Sequence, residues 1–227
     1  MAAGLLLAGC GSGAPEPSDS PTSTDPTRHS GDVRAWADET FGDFEEVSLS
    51  GSGDETVDIP AEVGEARMGV IELDYAGDPA ESGGFLAALV DADGELTLAG
   101  PDATWMGNEG DDVVRGQVIW QPHQNRFVEA QVQAHGDWTL TFKPISTVEE
   151  LPAEGVGSQV YLYDGDGGDV TMRHDESYIT VLTEYGEEDR LRQIIELRGP
   201  EADGTISAGP SVVIVAARGE WELDLPS

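Results

Sequence analysis

The segment Ala134-His-Gly-Asp-Trp138-Thr-Leu-Thr-Phe-Lys-Pro144 decides the fold, because Ala217-Arg-Gly-Glu-Trp221-Glu-Leu-Asp-Leu-Pro226 repeats it. Each opens on a small residue and a Gly-acid turn. Each continues with Trp, Leu and a third apolar residue on alternate positions, and each ends in Pro. Alternation with period two marks a strand that buries one face. A turn-and-strand unit that recurs within one chain marks a duplication.

Working outward, the same period holds in Val47-Ser-Leu-Ser50, Ile71-Glu-Leu-Asp-Tyr75 and Phe127-Val-Glu-Ala-Gln-Val-Gln-Ala134. Phe85-Leu-Ala-Ala-Leu-Val90, Val113-Val114 with Val118-Ile119-Trp120, Tyr178-Ile-Thr-Val-Leu182 and Val212-Val-Ile-Val-Ala-Ala217 are continuously apolar. Such runs suit strands covered on both faces. Turn signals fall between them at Asp93-Gly94, Asn108-Glu-Gly110, Gly136-Asp137, Asp203-Gly204 and Gly219-Glu220. One short helix is expected over 32–41, capped by Asp32 or Ser30.

A looser match pairs Leu49-Ser-Gly-Ser-Gly-Asp54-Glu-Thr-Val57 with Leu162-Tyr-Asp-Gly-Asp-Gly-Gly-Asp169-Val170. The expected fold is therefore all-β: two β-sandwich-like repeats of antiparallel strands. The first spans 32–148 and the second, shorter one 155–227, with the acidic Glu149–Gly155 as the joint.

The amino-terminal end carries a different message. Leu7-Ala-Gly-Cys10 fits a lipobox, and Cys10 is the only cysteine. The apolar run ahead of it serves as a membrane-embedded signal segment over 1–9. Ala8 and Gly9 leave room for a peptidase, and the Cys10 thiol accepts a diacylglycerol. Two acyl chains, at roughly 0.8 kcal/mol per buried CH2, hold a protein stably where one does not. No Lys or Arg precedes Cys10 and the apolar run is short, so the segment is expected to be truncated at its start.

Residues 11–31 are rich in Gly, Ser, Pro, Thr and Asp, the composition of a disordered tether running from the lipidated Cys10. A flexible chain of about 20 residues spans roughly 25 Å. No apolar run elsewhere reaches the 18 or more residues of a transmembrane helix. The expected location is the extracytoplasmic face of the cell membrane, through a lipid anchor.

Ser50-Gly-Ser-Gly-Asp54-Glu-Thr-Val57-Asp-Ile-Pro60 and Gly136-Asp-Trp138-Thr-Leu-Thr141 resemble segments of exported actinobacterial lipoproteins of unassigned function. The resemblance covers the first repeat well and the second poorly, since the second lacks an Asp-Ile-Pro ending. It implies a β-sandwich-like surface module and brings no catalytic residues. A basic complement of ten Arg and one Lys (Lys143) agrees with a GC-rich coding sequence.

Charge narrows the partners. Eleven Lys and Arg stand against 45 Asp and Glu, for a formal charge of -34. Nucleic acid is excluded as a partner, because phosphate binding needs clustered basic side chains. Binding to anionic lipid through a basic patch is excluded likewise. Disorder throughout is excluded by the 38% hydrophobic content arranged in ordered runs. The acidic runs Phe41–Glu46 and Glu184–Asp189 are expected to be solvated faces, with an acidic docking patch as the minority reading.

Candidate chemistry is sparse. There is no Gly-x-Ser-x-Gly elbow, Ser-x-x-Lys, His-Glu-x-x-His or Cys-x-x-Cys. His29, His123, His135 and His174 all read as loop residues. The metal candidate is calcium at Asp164, Asp166 and Asp169, because hard oxygens spaced along a Gly-rich turn suit Ca2+. The same residues also suit a solvated turn.

Trp138 and Trp221 are expected in the cores, while Trp105 is the aromatic most expected at the surface and the ligand-binding candidate. A glycosidase pair of carboxylates would need a cleft. The expectation is a non-enzymatic surface binding or structural module, without cofactor, whose partner is a protein or an envelope polymer. The alternatives are a calcium-dependent carbohydrate-binding sandwich and a secreted hydrolase.

Overall fold

The computed structural model describes residues 32–76, 86–98, 113–120, 126–174, 180–186, 190–217 and 219–226. In chain order these form α1 (Val33–Phe41), β1 (Val47–Ser52), β2 (Glu55–Asp58), α2 (Ala61–Glu65), β3 (Gly69–Ala76), β4 (Leu86–Asp91), β5 (Leu96–Leu98), β6 (Val113–Trp120), β7 (Phe127–Gln133) and β8 (Asp137–Pro144). After a 3-10 turn at Ile145–Thr147 come β9 (Glu154–Val156), β10 (Gln159–Tyr163), β11 (Gly168–His174), β12 (Thr180–Tyr185), β13 (Leu191–Leu197), β14 (Glu201–Ile206), β15 (Ser211–Ala216) and β16 (Glu220–Asp224).

The strands form four antiparallel sheets. Sheet A is ordered β1-β8-β3-β6 and sheet B β2-β7-β4-β5. Sheet C is ordered β10-β15-β12-β13 and sheet D β9-β16-β11-β14. Adding eight to each strand of A gives D, and adding eight to each strand of B gives C. The chain is thus all-β and contains one eight-stranded unit twice, with the jelly-roll order of two Greek keys. The Trp-containing segment that suggested duplication is β8 in one unit and β16 in the other.

The equivalence can be followed atom by atom. The Trp138 indole Nε1 donates to the Gly53 carbonyl at 3.0 Å, and Trp221 Nε1 donates to Gly157 at 3.1 Å. Gly53 N donates to the Gly136 carbonyl and Gly157 N to that of Gly219. Both Gly53 (φ 72°) and Gly157 (φ 73°) lie in the left-handed region that favours glycine. Asp54 Oδ1 accepts from Ala134 N at 3.0 Å, and Ser158 Oγ accepts from Ala217 N at 3.2 Å.

Gly51-Ser-Gly53-Asp54 therefore corresponds to Gly155-Val-Gly157-Ser158. This corrects the looser match to Leu162–Val170, which followed Gly and Asp content where the structure preserves only glycine spacing and a hydrogen-bonding cap. It also places Gly155, read as part of the joint, inside β9 opposite Trp221. The Asp203-Gly204 turn signal is likewise overturned: both residues lie inside β14, paired with Thr171 and Val170. Gly204 has no Cβ because one would meet the Ile194 carbonyl oxygen at 2.8 Å.

Alternation works as expected in β3, where Ile71, Leu73 and Tyr75 are fully buried in the first core with Trp138, Leu140 and Phe142 of β8. In β7 it slips: Phe127 pairs with Asp91, but Glu129 pairs with Val90. Val128 is the extra residue of a bulge, which shifts the buried set to Ala130 and Val132. The second core gathers Tyr161, Met172, Leu182, Val213, Val215, Trp221 and Leu223.

A third cluster joins the two units. It unites Val70 and Ile119 of sheet A with Val160, Leu162, Val212 and Ile214 of sheet C. Helix α1 enters the same cluster through Val33, Ala37 and Phe41, which its 3.6-residue turn places on one side. Asp32 caps it, accepting from Arg34 N at 2.9 Å. Arg34 Nη1 donates to the carbonyls of Ser146 and Val148, tying α1 to the connection between units. Gln117 spans the seam: its N donates to Ser158 O and its Oε1 accepts from Val160 N.

The sheets therefore stack B-A-C-D, joining an A-type face to a B-type face. The end faces are chemically different from the seam. By register, Val70 and Ile119 correspond to Asp169 and Thr205 on sheet D. Val212 and Ile214 correspond to Glu129 and Gln131 on sheet B. At these four positions the seam is apolar and the ends are polar, as terminal units of a stack favour. Ala88, Val90 and Leu96, by contrast, keep part of the outer face of sheet B apolar.

Candidate functional site

The outer face of sheet A is only partly covered. Its Gly69–Val70 end enters the seam, while the far end carries exposed Ser48, Ser50, Ser52, Asp74 and Asp137. Ser48 shares a hydrogen bond of 3.1 Å with Thr141, and Ser50 one of 3.0 Å with Thr139. These are cross-strand neighbours of β1 and β8, and Asp74 of β3 lies next to Thr139 in register. Above this ladder Lys143 pairs with Glu72 and, at 3.8 Å, with Glu46. The Glu72 hydrogen bond raises the Lys143 pKa above its ordinary value, against the opposing effect of burial.

Ser50, Gly51, Asp74, Asp137, Trp138 and Thr139 line a shallow, open depression in this face. Gly51 belongs there because Trp138 takes the space of its missing side chain: a Cβ would sit 2.3 Å from the ring. The depression presents hydroxyls and carboxylates on the face of a sheet. Nothing in the alternating pattern of β1 and β8 marks it, because Ser and Thr are ordinary outward-facing strand residues.

Of the calcium candidates, Asp164 and Asp166 lie in the β10–β11 turn, and Asp169 lies in β11 on the outer face of sheet D, opposite Thr205. All three are exposed. Among the described residues, no three His, Cys, Asp or Glu side chains are grouped to hold a metal ion.

The glycines of this turn have a packing reason. A Cβ on Gly165 would meet the Tyr163 hydroxyl at 2.5 Å, and one on Gly167 would meet Ala208 N at 2.6 Å. The Tyr163 hydroxyl donates to the Asp166 carbonyl at 2.5 Å, and Gly209 N donates to the Gly165 carbonyl. Cys10 and Trp105 lie outside the described residues.

Two expectations about polar residues are corrected. His174 is not a loop residue: it ends β11 opposite Trp221, is 3% exposed, and takes the place of Tyr75. Glu184, expected on a solvated face, is 4% exposed in β12, at the position that Leu89 holds in the first unit. Its Oε1 accepts from Arg192 Nε (2.8 Å), Arg192 Nη2 (2.6 Å) and Ser207 Oγ (2.7 Å), and its Oε2 from Ser207 N (3.0 Å). A buried carboxylate held by this many donors is an element of structure. In the other acidic run, Phe41 and Phe44 are buried anchors among solvated acids. His135 is exposed beside its turn, as expected; His29 and His123 lie outside the described residues.

No helix among the described residues is long and apolar enough to cross a membrane. No protein-family model matches the chain, and no curated protein matches it.

Proposed function

We propose that this chain is a lipid-anchored, extracytoplasmic, non-enzymatic module that binds or supports a component of the cell envelope. The observation that carries the reading is the order of parts. A lipobox at Cys10 leads into a polar tether, and the tether leads into α1, which sits in the seam of a double jelly roll. The anchor therefore enters a body whose two halves share one apolar cluster. Side chains fill both sandwich interiors. Among the described residues the best-buried acid is Glu184, and it is held by Arg192 and Ser207.

Two measurements test the reading. The full chain and its Cys10→Ala variant are expressed in a lipoprotein-processing bacterium and fractionated. The wild type is expected in the membrane fraction and the variant in the medium or in soluble extracts. A variant that stays membrane-bound overturns the anchor. Purified full chain is then sedimented with isolated envelope material; no enrichment in the pellet overturns the binding role.

A further inference from the structure

The two units treat the same edge strand in opposite ways. In the first unit Gly53 N donates to the Gly136 carbonyl at 3.0 Å, a hydrogen-bonded pair at the end of the β1–β8 ladder. Bonded and non-bonded pairs alternate along an antiparallel ladder. Register therefore turns the backbones of Val47, Leu49 and Gly51 toward β8, and the N–H and C=O groups of Ser48, Ser50 and Ser52 away from it. β1 is the end strand of sheet A, and among the described residues no backbone group meets these outward groups. Val47 and Leu49, with Val57 of β2, are only partly buried against the first core.

In the second unit the same edge is closed. Pro152 stands at the place of Ser48 by register and has no N–H to offer. β9 keeps three residues where β1 has six. The chain before it crosses to sheet C: Leu151 N donates to the Leu162 carbonyl and Leu162 N to that of Glu149, each at 2.8 Å. That segment is itself added to the edge of β10, in parallel, and Leu151 packs on the second core. Free edges are usually blunted by charges, Pro, a bulge or a cover. β1 reads Val-Ser-Leu-Ser-Gly-Ser, and its register to β8 runs unbroken.

We infer that β1 is a docking edge that takes an extended segment of a partner protein as a fifth strand of sheet A, and that this segment carries Lys or Arg at its ends. This rests on the binding reading above and names the partner's chemistry. The outward groups of the three serines form the ladder, and side chains supply the choice of sequence. On the outer face the segment lies beside the Ser48–Thr141 and Ser50–Thr139 hydroxyl pairs, where Ser or Thr continues the row. On the inner face, alternate Val, Ile or Leu cover Val47 and Leu49.

Charge selects the ends. Exposed Glu45 and Glu46 precede β1, and exposed Asp54 and Glu55 follow it. Among the described residues only Glu46 of these four meets a cation, Lys143 at 3.8 Å. Basic ends on the added strand complement these acids. The same acids oppose a second copy of this chain. Antiparallel pairing centred on Ser50 sets Glu46 against Asp54, and parallel pairing in register sets Glu46 against Glu46.

The test uses the full chain and a fluorescein-labelled, end-blocked peptide, Lys-Lys-Thr-Val-Thr-Val-Thr-Lys-Lys, read by anisotropy. The control peptide has Pro in place of both Val, which keeps the charge and removes the ladder. The wild type is expected to bind the valine peptide roughly tenfold or more tightly than the proline peptide, the effect of a few backbone hydrogen bonds. Amide exchange at Ser48, Ser50 and Ser52 is expected to slow when the valine peptide is bound. Ser48→Pro copies Pro152 at an N–H that points away from β8. It is expected to keep the melting temperature of the wild type and to lose the preference for the valine peptide.

Equal affinity of the wild type for the two peptides leaves charge attraction alone and overturns the docking edge. Unchanged exchange at the three serines under saturating valine peptide overturns it also, whether or not Ser48→Pro folds. So does a folded Ser48→Pro variant that retains the preference. Protection of these amides without peptide, in a chain that sediments as a dimer, gives the edge to a second copy and overturns the partner. A chain that fails these tests yet still pellets with envelope material leaves the binding role standing and removes only its assignment to this edge.

Discussion

Trp138 lies against Gly51 so closely that a single added carbon would sit 2.3 Å from the ring, and Trp221 stands in the same relation to Gly155 at 2.2 Å. Both indoles are about 2% exposed, and each nitrogen reaches back to the glycine two residues further along. The glycine makes room for the ring, and the ring closes the first turn of the sandwich. Gly51→Ala and Gly155→Ala should each destabilise the chain by about 1–3 kcal/mol, the usual range for overpacking a core. Urea denaturation checks this. A loss under about 0.5 kcal/mol at either site would mean the ring moves aside freely.

The seam depends on the apolar character of a few outward positions. Val212→Glu copies into the seam the residue that its counterpart Glu129 carries on the solvated face of sheet B. A carboxylate there faces the cluster of Val70, Ile119, Ile214 and Phe41 without a partner. Loss of about 2–5 kcal/mol is expected, together with a larger radius by small-angle scattering as the halves separate. The reverse change, Glu129→Val, should stay within about 0.5 kcal/mol. Equal effects from the two would deny the seam its role.

These positions also show where the sequence stops being informative. The repeat was legible because Trp138 and Trp221 follow a Gly-acid turn in the same rhythm, and a strand's period of two leaves that rhythm in the letters. The doubly covered strands were legible for the same reason: β15 reads Ser-Val-Val-Ile-Val-Ala, and five of its six residues are buried.

The seam was not legible. On β3 and β6 it rests on Val70 and Ile119, single apolar residues near strand ends that any half-buried strand tolerates. Glu184 was misread because it begins an acidic run, and its burial depends on Arg192 and Ser207, distant in sequence. The depression was invisible because its walls are Ser, Thr and Asp, ordinary outward-facing residues, and three separate strands bring them together.

Glu184 and Arg192 occupy a place that the first unit fills with Leu89. Removing the half-exposed Arg192 leaves the buried Glu184 carboxylate without its cation, so Arg192→Ala should cost about 3–5 kcal/mol. Replacing both, as Glu184→Leu with Arg192→Met, should be near neutral or stabilising, because desolvating the carboxylate offsets the attraction between the charges. A double-mutant cycle in urea measures the difference. A double variant as unstable as Arg192→Ala would show that Ser207, left without its acceptor, is the larger loss.

Alkaline stability should be governed in part by Tyr161. Its ring packs edge-on against Trp221 with centroids 5.9 Å apart, and its hydroxyl donates to Gln159 Oε1 at 2.5 Å. Burial, with a smaller contribution from the Glu149 carboxylate, pushes its pKa up from 10.0 to about 12. The folded state thus keeps its proton where the unfolded state releases it. Between about pH 10 and 12 the unfolded chain binds fewer protons, so stability falls as pH rises through that window. Below pH 10 both states are protonated and the contribution is complete. Tyr161→Phe has no proton to lose and should show a shallower decline across the window than the wild type, measured as urea midpoints from pH 9 to 12. Parallel declines would place the alkaline sensitivity in other groups and leave Tyr161 a packing residue only.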